Sequence, residues 1–408
     1  MPATNLRCRI CETEQPLTGI GTCPKCFGPL DPVYDLTALR ATVSRESIEA
    51  GPASLWRYAD LLPVAAPKEQ RLAPGFTPLV SAPRLAEELG LGELYLKLDN
   101  ANPTHSFKDR VVAVAAAKAL ELGCTTLSCS STGNLAGAVA ARAAAEGLEA
   151  AVFVPAGLEP EKLVAASVYG ATIYAVRGTY DDVSRLTIEL SFELENWGFT
   201  NVGLRSYYAE GSKTLAFEIA EQLGWRFPTA VVAPIASGSL FTKVRKGFEQ
   251  FHALGLVEGE LPRQFGAQAE GCSPVATAFG SGERVQPVRP DSLCTSLAIG
   301  SPADGDLAVQ VAKESGGAVV SIAEEEIGLN IRELAASSGV WGESATGVTF
   351  GGLRAAVEAG QLGSGDTVVL LVTGDGLKTP QLVAETCEPV EIDADADALL
   401  DRLGVTVA

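Results

Sequence analysis

From residue 94 onward, short apolar runs rich in β-branched residues alternate with longer alanine-rich stretches. The runs 94–98, 125–129, 151–154, 172–176, 230–235, 265–269 and 367–373 have the length and continuity of strands buried on both faces. Between them, 107–121, 134–147, 159–169, 180–195, 210–223 and 239–253 read as helices. Such alternation predicts an α/β fold in which parallel sheets carry helices on both faces. Upstream, Gly75-Phe76-Thr77-Pro78-Leu79 precedes a short helical stretch at 83–90. Residues 36–75 are polar, with Pro and Gly, and contain Leu55-Trp56-Arg57-Tyr58; they read as an arm packed on the main body. The acidic tail 386–408 reads as a short surface helix.

Composition narrows the class. A chain of 408 residues has room for two or three domains with sizeable cores. Apolar residues make up 47% and charged residues 20%, the balance of a folded enzyme. No run reaches the eighteen apolar residues of a membrane span, and no charged-then-apolar leader pattern opens the sequence, so neither insertion nor export is expected. With 31 basic against 50 acidic residues the net charge is −19. That excludes a nucleic-acid surface and docking on anionic membranes. An anionic substrate would require a locally built positive pocket.

Nine cysteines, four of them clustered, point to reduced thiols and a metal site in a cytoplasmic protein. The cluster reads Cys8-x-x-Cys11, eleven residues, then Cys23-Pro-Lys-Cys26. Each pair can clamp one side of a tetrahedral zinc from a tight turn, and two such turns make a ribbon. Arg7, Arg9 and Lys25 are offset by Glu12, Glu14, Asp31 and Asp35, so the ribbon reads as structural rather than as a nucleic-acid reader.

The chemistry centres on residues 100–110, Asn-Ala-Asn-Pro-Thr-His-Ser-Phe-Lys-Asp-Arg. A strand leads in and an alanine-rich helix leads out, with Ser106 as the expected N-cap. Lys108 then lies in the first helical turn, where the dipole disfavours a fixed cation but suits a lysine that forms an imine or carries a proton. Further loops follow strands and open helices: Ser130-Ser131-Thr132-Gly133-Asn134, and Pro234-Ile235-Ala236-Ser237-Gly238-Ser239-Leu240. Hydroxyls and free N–H groups at such helix starts receive carboxylates and phosphates.

These segments, in this order, resemble the threonine synthases over most of residues 75–385. The family signature Asn-Pro-Thr-Gly-Ser-Phe-Lys-Asp-Arg is matched by Asn102, Pro103, Thr104, Ser106, Phe107, Lys108, Asp109 and Arg110, with His105 in place of glycine. Glu210-Gly211-Ser212-Lys213-Thr214, Glu343-Ser344-Ala345 and Thr373-Gly374-Asp375-Gly376-Leu377-Lys378 resemble later family segments. The resemblance implies the fold type II (tryptophan synthase β-like) architecture of pyridoxal 5'-phosphate (PLP) enzymes: two α/β domains with the cofactor between them, here behind an N-terminal zinc ribbon. It places the ribbon at 1–35, the larger PLP-binding domain at 36–95 and 205–385, the smaller domain at 96–204 and a tail at 386–408.

Residue by residue, the resemblance implies that Lys108 is catalytic and carries PLP as a Schiff base. Asn134 would meet the phenolic oxygen of PLP and Thr373 its pyridine nitrogen. Ala236, Ser237, Gly238, Ser239 and Leu240 would hold the cofactor phosphate. Ser131 and Thr132 would hold the substrate carboxylate, and Asn201 and Arg205 the substrate phosphate, with Lys213 able to share that load. Val202 stands where the family has serine, and the arginine is displaced by one residue, which bears on substrate choice. Cys8, Cys11, Cys23 and Cys26 would hold a structural zinc. The implied reaction converts O-phospho-L-homoserine and water to L-threonine and phosphate in a cytoplasmic homodimer. The alternative is a relative acting on another O-phospho amino acid, such as phosphoserine with sulfite.

Overall fold

The computed structural model describes residues 3–158, 163–178 and 180–404. The chain opens with a three-stranded antiparallel sheet made of β1 (Ala3–Cys8), β2 (Glu14–Gln15) and β3 (Leu30–Tyr34), in the order β2-β1-β3. Next come β4 (Leu79–Ser81) and β5 (Glu93–Leu98), which pair antiparallel. Four strands follow as a separate parallel sheet: β6 (Thr126–Ser130), β7 (Glu149–Pro155), β8 (Thr172–Val176) and β9 (Trp197–Phe199), in the order β8-β7-β6-β9. The chain then returns to the first large sheet with β10 (Ala230–Pro234), β11 (Arg263–Ala269), β12 (Val319–Ile322) and β13 (Thr367–Val372). That sheet runs β12-β11-β10-β13-β5-β4, so the last strand synthesised is inserted between β10 and β5.

Alternation along the central strands shows why these runs are continuous in apolar residues. Val231 and Ala233 of β10, with Val369 and Leu371 of β13, pack on Leu215, Phe217, Phe241 and Phe248. Their neighbours Ala230, Val232, Val368 and Leu370 pack on Phe350 and Leu353 on the other face. A period of two thus serves two cores at once.

The helix Lys108–Glu121 is buried continuously from Asp109 to Ala119. Its small side chains let neighbouring elements approach closely all round; polar exposure on one face, the usual surface-helix pattern, is missing. Leu6, Cys8, Cys23 and Leu30 of the N-terminal sheet share one core with Val111–Ala119 of this helix and with Tyr207.

Three expectations change. β5 runs through Leu98 as part of the large sheet, so a domain boundary at 95/96 would cut a strand. The helix expected at 210–223 begins at Arg205 and is tightened by a 3-10 turn over Gly211–Lys213. Within the expected 159–169 helix, Val164–Ser167 is helical and 159–162 lies outside the described residues. The strands β4, β9 and β12 were not legible, being only three or four residues long. Among the described residues no helix is long and apolar enough to cross a membrane.

Candidate active site

Lys108 is the first residue of its helix, at the carboxyl end of β5, and everything around it fixes that position. Asn102 accepts from Gly75 N at 2.9 Å and donates to Asp99 O at 2.9 Å, closing the turn. Asp109 accepts from both Thr104 N (2.7 Å) and Thr104 Oγ1 (2.9 Å). Arg110, with no exposed surface, grips Asp99 through Nε and Nη2 at 2.7 Å each and reaches Glu218 with its other donors. Lys97 also donates to Glu218, at 2.6 Å, and Thr77 Oγ1 donates to Asp99 at 2.8 Å. Eight buried polar side chains therefore pin the residues on either side of Lys108, with Arg110 and Lys97 paired to Asp99 and Glu218 as burial requires.

The turn itself differs from expectation in one detail. Ser106 is not the N-cap; that position is Phe107, and Ser106 Oγ only accepts from Lys108 N at 3.4 Å. Ser106 is instead bridged to Gly374, while Phe107 N donates to Thr373 O at 2.9 Å and Asp375 N to His105 O at 3.1 Å. His105 has φ +61 and an exposed side chain. The family's glycine at this point is thus a conformational choice, and a side chain there costs roughly 1–2 kcal/mol. This pairing brings Thr373, at the end of β13, beside Lys108.

Two further helix starts follow strand ends, Asn134 after β6 and Ser239 after β10. Asn134 begins the helix Asn134–Glu146, and its amide nitrogen donates to both oxygens of Glu343, at 3.0 and 2.9 Å. Burial raises the Glu343 carboxyl above its ordinary pKa, although Asn134, Lys378 and Lys108 all work against that shift. Glu343 N in turn donates to Gly374 O, so the two loops and the lysine turn form one unit. Lys108 Nζ lies 4.4 Å from the ring centre of Phe107 and 5.9 Å from that of Tyr208.

The loop Ala236-Ser237-Gly238-Ser239-Leu240 opens the helix Ser239–Leu254. Gly238 has φ +88, and a Cβ there would stand 2.7 Å from Asp304 O. Asp304 N donates to Ser237 O at 2.9 Å, closing the back of the loop. In front, Ser239 Oγ is buried without a hydrogen-bond partner. An orphaned hydroxyl among the unpaired N–H groups of a sixteen-residue helix fits a phosphate. PLP therefore fits the residues present.

Other expected residues are placed differently. Ser131 and Thr132 line the half-buried loop before Asn134, with Ser131 Oγ accepting from Gly133 N at 3.3 Å. Asn201 engages Ser130, accepting from its N at 3.4 Å and donating to its Oγ at 3.3 Å. Arg205 is a quarter exposed and donates to Asp304 at 2.6 Å. Lys213 does not reach the cleft: it has no exposed surface and sits 2.7 Å from Glu210. Burial pulls its pKa down to about 7 against the pull of Glu210. Asp304 was missed entirely, since nothing in its local sequence marks it.

In the N-terminal sheet, the Cys8, Cys11, Cys23 and Cys26 sulfurs lie within 4.8 Å of one another. Sulfur separations of 3.3 to 3.6 Å approach the roughly 3.8 Å edge of a tetrahedron with 2.3 Å metal–sulfur bonds. Glu12 (φ 57) and Phe27 (φ 58) follow the second cysteine of each pair, so both pairs sit on the same left-handed turn. The donor set fits a closed, four-thiolate metal site.

A lysine at a helix start beyond β5, with a small-residue loop opening a helix beyond β10 on the same edge of the sheet, is the arrangement of a fold type II PLP-dependent enzyme. The family described as "Pyridoxal-phosphate dependent enzyme" matches residues 70–374. Threonine deaminase isoform 2 from Solanum lycopersicum shares the fold, with TM-score 0.64 and 20% identity over 76% of this chain and 83% of that one. A threonine synthase of Methanosarcina acetivorans is 37% identical over 98% of both chains. That of Methanocaldococcus jannaschii is 34% identical over 93% of this chain and 94% of its own. The chain belongs to the threonine synthases, PLP-dependent lyases of amino-acid biosynthesis.

Proposed function

We propose that the cleft around Lys108 converts O-phospho-L-homoserine and water to L-threonine and phosphate. The observation behind this reading is that Lys108, Thr373 and the Ser237–Ser239 loop follow β5, β13 and β10, parallel neighbours whose carboxyl ends share one edge of the sheet, with the Asn134–Glu343 pair tied to the Gly374 loop beside them. Lys108 holds PLP covalently at rest, Ser237, Gly238, Ser239 and Leu240 hold its phosphate with Ala236 shaping the loop, and Asn134 and Thr373 meet its ring. Bound PLP supplies an electron sink for charge that develops on the substrate carbons. With its amine released, Lys108 would serve as the base that carries the protons removed from Cα and Cβ. Ser131 and Thr132 offer hydroxyls and N–H groups to the substrate carboxylate. Arg205 retains donors beyond the one given to Asp304, and its fork suits a dianionic phosphate in an otherwise acidic chain. Asn201 supports this segment through Ser130.

The four cysteines hold one zinc, and four thiolates leave no position for substrate, so its role is structural. The enzyme works in the cytoplasm as a homodimer. The deciding experiment measures phosphate release from O-phospho-L-homoserine and identifies the amino acid formed. Threonine is the expected product. Turnover of phosphoserine with sulfite, without threonine formation, would overturn the reading.

A further inference from the structure

The ribbon does not stand apart from the cleft. Tyr207 Oη donates to Thr18 O at 2.9 Å, and Ser206 Oγ donates to Leu30 O at 2.8 Å. A Cβ on Gly21 would stand 2.0 Å from Val202 O, and one on Gly203 would stand 3.2 Å from Gly19 O. The ribbon thus touches residues 202, 203, 206 and 207, on both sides of Arg205. A third link runs through charge. Asp304, only 4% exposed, accepts from Arg205 Nη2 on one carboxylate oxygen at 2.6 Å and from Arg9 Nη2 on the other. Arg9 lies inside the first Cys-x-x-Cys turn, directly after Cys8.

Two guanidiniums share Asp304, which also closes the back of Gly238, while Asp31 on the far side of Arg9 is itself paired with Lys243, so positive charge prevails beside this loop. Arg9 and Arg205 are 22% and 24% exposed, so both retain access to the cleft side or to solvent. Arg9 Nε also lies 3.9 Å from the Asp31 carboxylate, so the guanidinium is held from two sides.

We propose that Arg9 is a positioning residue for the substrate's phosphate: it fixes Asp304, which fixes Arg205, and the four-cysteine turn holds Arg9 in place. This rests on the reading of Arg205 as the substrate-phosphate ligand. The ribbon then serves the active site by holding the anion-binding segment rigid, without the metal touching substrate.

The test uses the PLP-loaded full-length enzyme, with inorganic phosphate as the probe. Calorimetry gives the phosphate Kd for wild type, Arg9→Ala, Arg205→Ala and the double variant, and steady-state kinetics give KM and kcat. Arg9→Ala is expected to raise the phosphate Kd and the KM about tenfold, with little change in kcat or in the PLP absorption spectrum. The double variant should lose less than the two single losses combined, because both act on one site. Arg9→Lys keeps the charge but not the fork and should show a smaller loss; it carries the test if the alanine variant does not fold. Arg7→Ala removes only a surface pair with Glu14 and should bind phosphate as wild type does. A folded Arg9 variant with wild-type phosphate affinity, beside a weakened Arg205→Ala, overturns the role of Arg9 alone. Wild-type affinity in both overturns the Arg205 reading and this inference together.

Discussion

Asn134 donates to both carboxylate oxygens of Glu343, tying the first residue of the helix after β6 to the residue before the helix Ser344–Glu358, which packs on β10 and β11 of the other parallel sheet. Glu343 is only 3% exposed. Replacing it by alanine leaves Asn134, the proposed partner of the cofactor ring, without its acceptor. Glu343→Ala is expected to weaken PLP binding and lower kcat by about tenfold, from loss of a charge-assisted hydrogen bond of roughly 1.5 kcal/mol or more. Glu343→Gln, which retains one acceptor, should fall between. PLP titration followed by absorbance measures the first effect. Unchanged PLP affinity in the alanine variant would show that Asn134 needs no partner.

On the proposed function, Lys108→Ala removes the covalent anchor and the proton carrier together. Turnover is expected to fall by at least 10²–10⁴-fold, the usual share of a positioned base, while the fold persists. Borohydride treatment of wild type followed by peptide mapping should find the pyridoxyl group on Lys108. Its recovery on another lysine would move the site.

Arg110 supports the catalytic turn without touching substrate. Its buried guanidinium balances Asp99 and Glu218, so Arg110→Leu leaves two carboxylates facing Lys97 alone. A cost of about 3–5 kcal/mol is expected for breaking a buried pair in this way. Urea denaturation of the two proteins measures it; a loss under 1 kcal/mol, well below that range, would mean the cluster relaxes or admits water.

Acid should reveal the same cluster. Burial pushes the Glu218 carboxyl up, but Arg110 and Lys97 outweigh it and hold the pKa at about 2. Asp31, raised by burial, is likewise held at about 2 by Lys243, Lys246 and Arg9. Both folded-state values lie below the unfolded ones, near 4. Their stabilisation is therefore complete above about pH 4.3 and is lost as pH falls towards 2. Denaturation midpoints measured from pH 6 to pH 3 should drop mainly below 4.5. Asp31→Asn should flatten that slope; an unaltered slope would place the lost protons elsewhere.

Elemental analysis should find one zinc per chain. A preparation that binds none while its four thiols remain reduced would contradict the metal reading.

The sequence made the site's chemistry readable wherever it is written as a contiguous stretch. Lys108, Ser237–Ser239 and Thr373 follow β5, β10 and β13, parallel neighbours in one sheet, so local pattern implied a shared edge; Asn134 follows β6 of the other sheet, and its bond to Glu343 joins it to them. Relations between distant residues were not readable. Asp304 lies 99 residues from Arg205 and 295 from Arg9, and it marks no motif of its own. Lys213 was misjudged because proximity in sequence to Arg205 says nothing about direction: about two turns on, its side chain meets Glu210 in the core. Short strands such as β12 escaped because four residues carry too little period to be told from a loop.

The bond from Ser206 to Leu30 spans 176 residues of sequence. A ribosome adding roughly 5–20 residues per second would make the ribbon about 10–35 s before its docking partner emerges. During that interval the apolar residues Leu6 and Leu30 have no core to enter, and the four thiols are open to oxidation or to any metal at hand. The ribbon can seat only when residues 206 and 207 have emerged, and a metal taken up early by its four thiols would let it wait intact.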